Sequence, residues 1–143
     1  MLDTFTPQLL ELFAVSLWET IVMVGLSGLA GAMLGLPLGV YLHLTAPGGI
    51  LQSASAYRLV GTAVNAVRST PFIILLVAII PFTRLITGSS IGTAAAVVPL
   101  VVAAAPFIAR LIETALREVD RGLVEAAQAM GATHAQIVFK VLL

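Results

Sequence analysis

Charged residues are sparse along this chain, and the intervals between them are informative. No Asp, Glu, Lys or Arg occurs from Thr20 to Tyr57, from Ser69 to Thr83, or from Leu85 to Ala109. A helix rises about 1.5 Å per residue, so roughly 20 apolar residues cross the hydrocarbon core of a bilayer. The first and third intervals meet that length unaided. They predict spans at about 17–44 and about 91–112, the first with Trp18 and Tyr41 near its ends, where amphipathic rings favour the interface. The apolar run from Phe72 to Phe82 covers only about 16 Å as helix. A span there must recruit residues before Pro71, Asn65 and Arg68 among them, and is expected at about 57–83.

Local features refine these spans. Gly31, Gly35 and Gly39 recur every fourth residue, Gly28 is expected to extend this small face by one further turn, and such a stripe lets another helix approach closely. Pro37 predicts a bend. Ala46-Pro47-Gly48-Gly49 is a turn signal that closes the first span. Thr70 precedes Pro71, which disfavours α geometry and predicts a break or kink. Arg68 then lies either at the headgroups, by snorkelling, or in a protein-lined structural site. Pro81 to Ser90 reads as a short connection carrying Arg84. Pro99 and Pro106 fall within the third span and predict kinks there, because neighbours in a bundle can satisfy the freed carbonyls.

After Ile112 the character changes. Glu113, Arg117, Glu118, Asp120, Arg121 and Glu125 follow closely, and the chain is expected to leave the membrane. Asp120 can cap a short helix whose apolar positions Leu123, Ala127 and Met130 share one face. Gly131 stands where a C′ glycine would stop it. Thr133 and Gln136 have the spacing of a capping box, opening a second helix whose apolar stripe continues at Val138, Val141 and Leu142. The expected fold is all-α and integral to the membrane: three transmembrane helices and, over about 120–143, a cytoplasmic helix-turn-helix.

Composition agrees: 59% of the residues are apolar and 10% charged, against about a quarter charged in an average soluble domain. Met1 to Glu19 holds Asp3, Glu11 and Glu19 but no Lys or Arg, so it lacks the basic start of a secretory signal, and the first span reads as retained. Basic residues gather at and beyond the third span, as Arg110, Arg117, Arg121 and Lys140, which marks that side as cytoplasmic and the N-terminus as outside. Arg84 alone runs against this bias. The absence of cysteine excludes disulfides and thiolate metal sites. Zero net charge and a second helix offering only His134, Gln136 and Lys140 argue against DNA as the partner of the helix-turn-helix, and so against a membrane-anchored regulator. There is no Walker phosphate loop, nucleophile elbow or paired His at metal spacing, and His43 and His134 read as interfacial side chains. A transporter or channel driven by an ion gradient is the alternative, but such proteins place acids within their spans, and here only Glu19 stands at the edge of one.

Glu125-Ala126-Ala127, three residues, Gly131, nine residues, Val141, one residue and Leu143 resembles the cytoplasmic signature of permease subunits of binding-protein-dependent ABC importers: Glu-Ala-Ala, Gly, Ile, Leu-Pro at those spacings. Arg68-Ser69-Thr70-Pro71 is similar to a segment of amino-acid importer permeases. Pro71 to Leu76, Ala105 to Arg110 and Met130 to Thr133 look like the methionine-uptake permeases. The resemblance begins near Trp18 and stops one residue short of the signature proline, so the chain is expected to be a C-terminally truncated copy lacking at least two further spanning helices.

The resemblance implies a type I ABC importer permease fold over 1–143, in a bacterial inner membrane. It implies a role in amino-acid import, of methionine in particular. The implied partners are a cytoplasmic ATP-binding subunit that carries the ATP and Mg, a second permease copy, and an extracytoplasmic substrate-binding protein. Glu125, Ala126, Ala127 and Gly131 would couple to the ATPase, with Ala126 and Gly131 giving close approach and Glu125 a polar contact. Arg68, Pro71, Gly31, Gly35 and Gly39 are expected to serve structure and helix packing. No catalytic residue, bound cofactor or metal is expected in the chain itself.

Overall fold

The computed structural model describes residues 7–142, so Leu143, the last position matched to the signature, lies outside the described residues, as does Asp3. Helix α1 runs from Pro7 to Thr45, beginning ten residues before the expected span. Its 39 residues cover about 58 Å, nearly twice the hydrocarbon thickness. Charge spacing marks the part of a helix that suits lipid, not where the helix begins; Glu11 and Glu19 ride exposed on the extra turns. Pro7 fits the first position, where its missing N–H would have no intrahelical partner. Pro37 lies inside the helix, which continues through it.

A turn follows. The Gly49 N–H reaches the Ala46 carbonyl at 2.8 Å, and Gly48 takes the left-handed conformation, φ +82°. Helix α2 (Ala54–Ser69) then ends where Thr70 becomes extended ahead of Pro71. Helix α3 (Phe72–Ala78) leaves at 107° to α2, so the span expected at 57–83 is a sharply bent pair, broken at the Thr70–Pro71 step where a break or kink is expected. The cause is local: proline clashes with α geometry in its predecessor, and α2 is amphipathic where α3 is apolar throughout. The connection expected from Pro81 to Ser90 is corrected likewise. It is mostly helix α4 (Ile80–Thr87), with Pro81 tolerated in its first turn and Gly88 at φ +74° ending it.

Helix α5 (Thr93–Arg117) absorbs Pro99 and Pro106 and runs one turn past Ile112, where the chain was expected to leave the membrane. Among the described residues α1 and α5 are each long and apolar enough to cross a bilayer, and the bent α2–α3 pair makes a third crossing if it counts as one span.

The α1–α5 pair is the backbone of the fold, and its closeness depends on missing side chains. A Cβ on Gly31 would stand 2.9 Å from Ala104 Cβ, one on Gly35 2.8 Å from the Ala105 carbonyl oxygen, and one on Gly39 2.5 Å from the Ala109 carbonyl oxygen. Real side chains do not tolerate such distances, so only glycine allows these backbones to meet. Gly28 does not extend this face, for a Cβ there meets nothing within 4 Å. The stripe continues instead through Ser27, four residues before Gly31, which is buried and donates to the Met23 carbonyl.

Candidate functional site

Beyond α5, three residues lead into helix α6 (Arg121–Ala129). Asp120 caps it: its Oδ1 accepts the Gly122 N–H at 2.7 Å. The helix ends in a Schellman motif, the Gly131 N–H donating to the Gln128 carbonyl at 2.9 Å and the Ala132 N–H to the Ala127 carbonyl at 3.0 Å. Gly131 takes φ +81° there, a conformation that costs other L-residues strain. Thr133 then opens the short helix α7 (His134–Ile137) with a reciprocal capping box: its Oγ1 accepts from Gln136 N at 3.3 Å, while its own N–H reaches Gln136 Oε1 at 2.9 Å. A π-helical turn, Val138–Leu142, completes the described chain.

This segment is held from beneath. Ala127, Ile137 and Leu142 are buried in one apolar cluster with Val40 of α1 and Leu116 of α5, so α6 and α7 rest on the ends of both long helices. The face expected to carry Leu123, Ala127 and Met130 is only partly buried. Leu123 is 59% and Met130 82% exposed, because Val124 and Ala127 turn inward instead. Glu125 and Ala126 are exposed as well. Glu125 lines a cavity of about 720 Å³ between α6 and the Pro47–Gly49 turn, with His43, Arg117 and Arg121 also on its walls. Gly131 is exposed, with open space where a side chain would stand.

The remaining residues singled out in the sequence lie elsewhere. Arg68 is exposed in the last turn of α2, where its charge suits the helix C-terminus. Pro71 caps α3, its carbonyl accepting from Ile74 N at 2.9 Å and Leu75 N at 3.1 Å. The glycines of α1 bring α1 and α5 together beneath α6.

One cluster escaped the sequence reading. Glu113 of α5 is 2% exposed, and its carboxylate accepts from Arg110 Nη1 at 2.6 Å, Arg117 Nη2 at 2.6 Å and the Tyr57 hydroxyl at 3.0 Å. Arg110 Nη2 also reaches the Gly61 carbonyl of α2 at 3.0 Å. The only acid at a span was expected to be Glu19, and Glu113 overturns that. It does not strengthen the case for an ion-driven carrier, since two guanidiniums compensate its charge. The signal was present in sequence as Arg110, Glu113 and Arg117 at helical spacing, but the run of charges read as a helix already in water.

Residues 35–143 match the family described as binding-protein-dependent transport system inner membrane component. The D-methionine transport system permease protein MetI of Yersinia pestis is 57% identical over 138 residues, and its Escherichia coli K12 counterpart 56%. Each match takes in 96% of this chain and 64% of the relative, so the chain spans a little under two thirds of their length. A solved inward-facing structure of the MetNI methionine ABC transporter superposes with a TM-score of 0.94 at 55% identity, over 97% of this chain and 64% of that one. An amino acid ABC transporter at 22% identity shares the fold with a TM-score of 0.57. With the glycine-ended α6 seated on two apolar helices, these matches lead to one conclusion: the chain belongs to the inner membrane components of binding-protein-dependent transport systems.

Proposed function

We propose that this chain forms the membrane-spanning permease of an ATP-driven methionine importer, and that α6 with the glycine turn behind it is where a cytoplasmic ATP-binding subunit docks. The observation that carries the reading is the divided character of α6. Ala127 is buried against the ends of α1 and α5, whereas Leu123, Glu125, Ala126 and Met130 remain open. A helix fixed on one side and bare on the other can pass a push from a partner groove into the membrane helices. Gly131 keeps the connection compact, and Ala126 leaves room for close approach.

In this reading ATP and Mg belong to the partner subunit, and the permease binds no nucleotide and catalyses no reaction. A second copy of the permease completes the pathway, and a substrate-binding protein delivers methionine on the outer face of the bacterial inner membrane. The methionine assignment is supported by the relatives, which are named for D-methionine transport. Arg117, Arg121 and Lys140 support a cytoplasmic α6 and an external N-terminus.

Coexpression with the candidate ATP-binding subunit tests the reading. Parent subunits should co-purify and, with the substrate-binding protein supplied outside, take up labelled methionine in proteoliposomes only with internal ATP. Leu123→Asp and Met130→Asp, at exposed positions that leave the fold intact, should lower both co-purification and uptake. Parent subunits that never associate, or variants that associate and transport as the parent does, would sink the docking assignment. Uptake no higher than in empty vesicles would remove the substrate.

A further inference from the structure

We propose that Glu113 is a positioning residue for transport: it ties α2 to the α6 end of α5, so that α2 and the α3 segment beyond it move with the coupling segment. The inference rests on the proposed docking role of α6 and concerns how motion leaves it. Arg110, Glu113 and Arg117 form one stripe on the last turns of α5, and only three residues separate that helix from α6. Both carboxylate oxygens of Glu113 are engaged, Oε2 by Arg110 and Oε1 by Arg117 and Tyr57. The Tyr57 hydroxyl also accepts from Arg117 Nη2 at 3.0 Å. Arg110 makes a second attachment through the Gly61 carbonyl.

Tyr57 and Gly61 lie one turn apart on α2, so attachment at two points sets the orientation of that helix as well as its proximity. Gly61 admits the guanidinium, since a Cβ there would lie 3.1 Å from Arg110 Nη2. Apolar burial contributes little to holding α2, whose only buried residues are Gly61 and Val64. The polar knot therefore supplies the directional attachment that this small apolar contact lacks. Past Ser69 the chain turns 107° into α3, so a rotation of α2 is delivered sideways to α3.

The test uses the permease reconstituted with its ATP-binding subunit and supplied with the substrate-binding protein outside, in parent form and with Glu113→Gln or Tyr57→Phe. The chain has no cysteine, so spin labels at Arg58→Cys and Thr114→Cys, both exposed, report the α2–α5 distance. The parent should give one narrow distance within each permease copy, the same without nucleotide and with ATP trapped by vanadate. The variants should broaden it and lower methionine taken up per ATP hydrolysed by about tenfold, while the subunits still co-purify. Tyr57→Phe removes one oxygen and little volume, and decides the matter if Glu113→Gln fails to insert. A parent distance that changes between the two states would overturn the proposal. So would an unchanged uptake-to-hydrolysis ratio, or uptake and hydrolysis falling in proportion. If the parent subunits never associate, the docking reading fails instead, and the label distances in the permease alone still show whether Glu113 fixes α2.

Discussion

Glu113 shows how much one side chain's surroundings decide. A carboxylate on an apolar helix is costly to bury, and here three donors compensate it. Removing one partner of a buried pair leaves the others uncompensated, so Glu113→Ala should lower stability by about 3–5 kcal/mol. Arg117, whose side chain is 53% exposed, stands largely in solvent, and its loss leaves Glu113 held by Arg110 and Tyr57, so Arg117→Ala should cost clearly less than Glu113→Ala. Unfolding of both variants in mild detergent checks the order; equal losses would mean that the network does not carry the burial. The triplet is visible in the sequence. Its role is not, because its partners on α2 lie 49 to 60 residues away.

Among elements, the α1–α5 contact and the α6–α7 turn illustrate two uses of glycine. Along α1 the need is space: Gly39→Ala presses on the Ala109 carbonyl, and overpacking of this kind costs about 1–3 kcal/mol. Gly28→Ala meets nothing within 4 Å and should be neutral or slightly stabilising. Thermal unfolding of the pair compares them, and a penalty at Gly28 equal to that at Gly39 would contradict the stripe. At Gly131 the need is conformation, since space is open and φ is positive. Gly131→Ala should cost about 1–2 kcal/mol and appear as faster amide exchange at Ala132, whose N–H closes the Schellman motif. The four-residue repeat announced the stripe, and the capping residues announced the turn. That the stripe passes through Ser27 and not Gly28 depended on the partner helix.

For the whole molecule, topology is the property to measure. Without native cysteines, single cysteines can be labelled from either side of the membrane. With α6 cytoplasmic and three crossings, Gln128→Cys should react only after the membrane is permeabilised, and Ser89→Cys should react with an impermeant reagent from outside. The opposite pattern would invert the orientation argued from Arg117, Arg121 and Lys140.

By itself the sequence determined that this protein is helical and lives in a membrane, because apolar length and charge spacing are local, additive quantities. It also determined the capped turn at Gly131, whose caps are bonds between near neighbours. The break at Thr70–Pro71 was legible too, but only the tertiary structure decided how far the chain bends there, 107°, that α5 continues past Ile112, and that the α6 face is half buried. Each of these depends on which surfaces meet across the chain. The buried Glu113 is the clearest case, since a charge leaves water only when distant partners are folded into place around it.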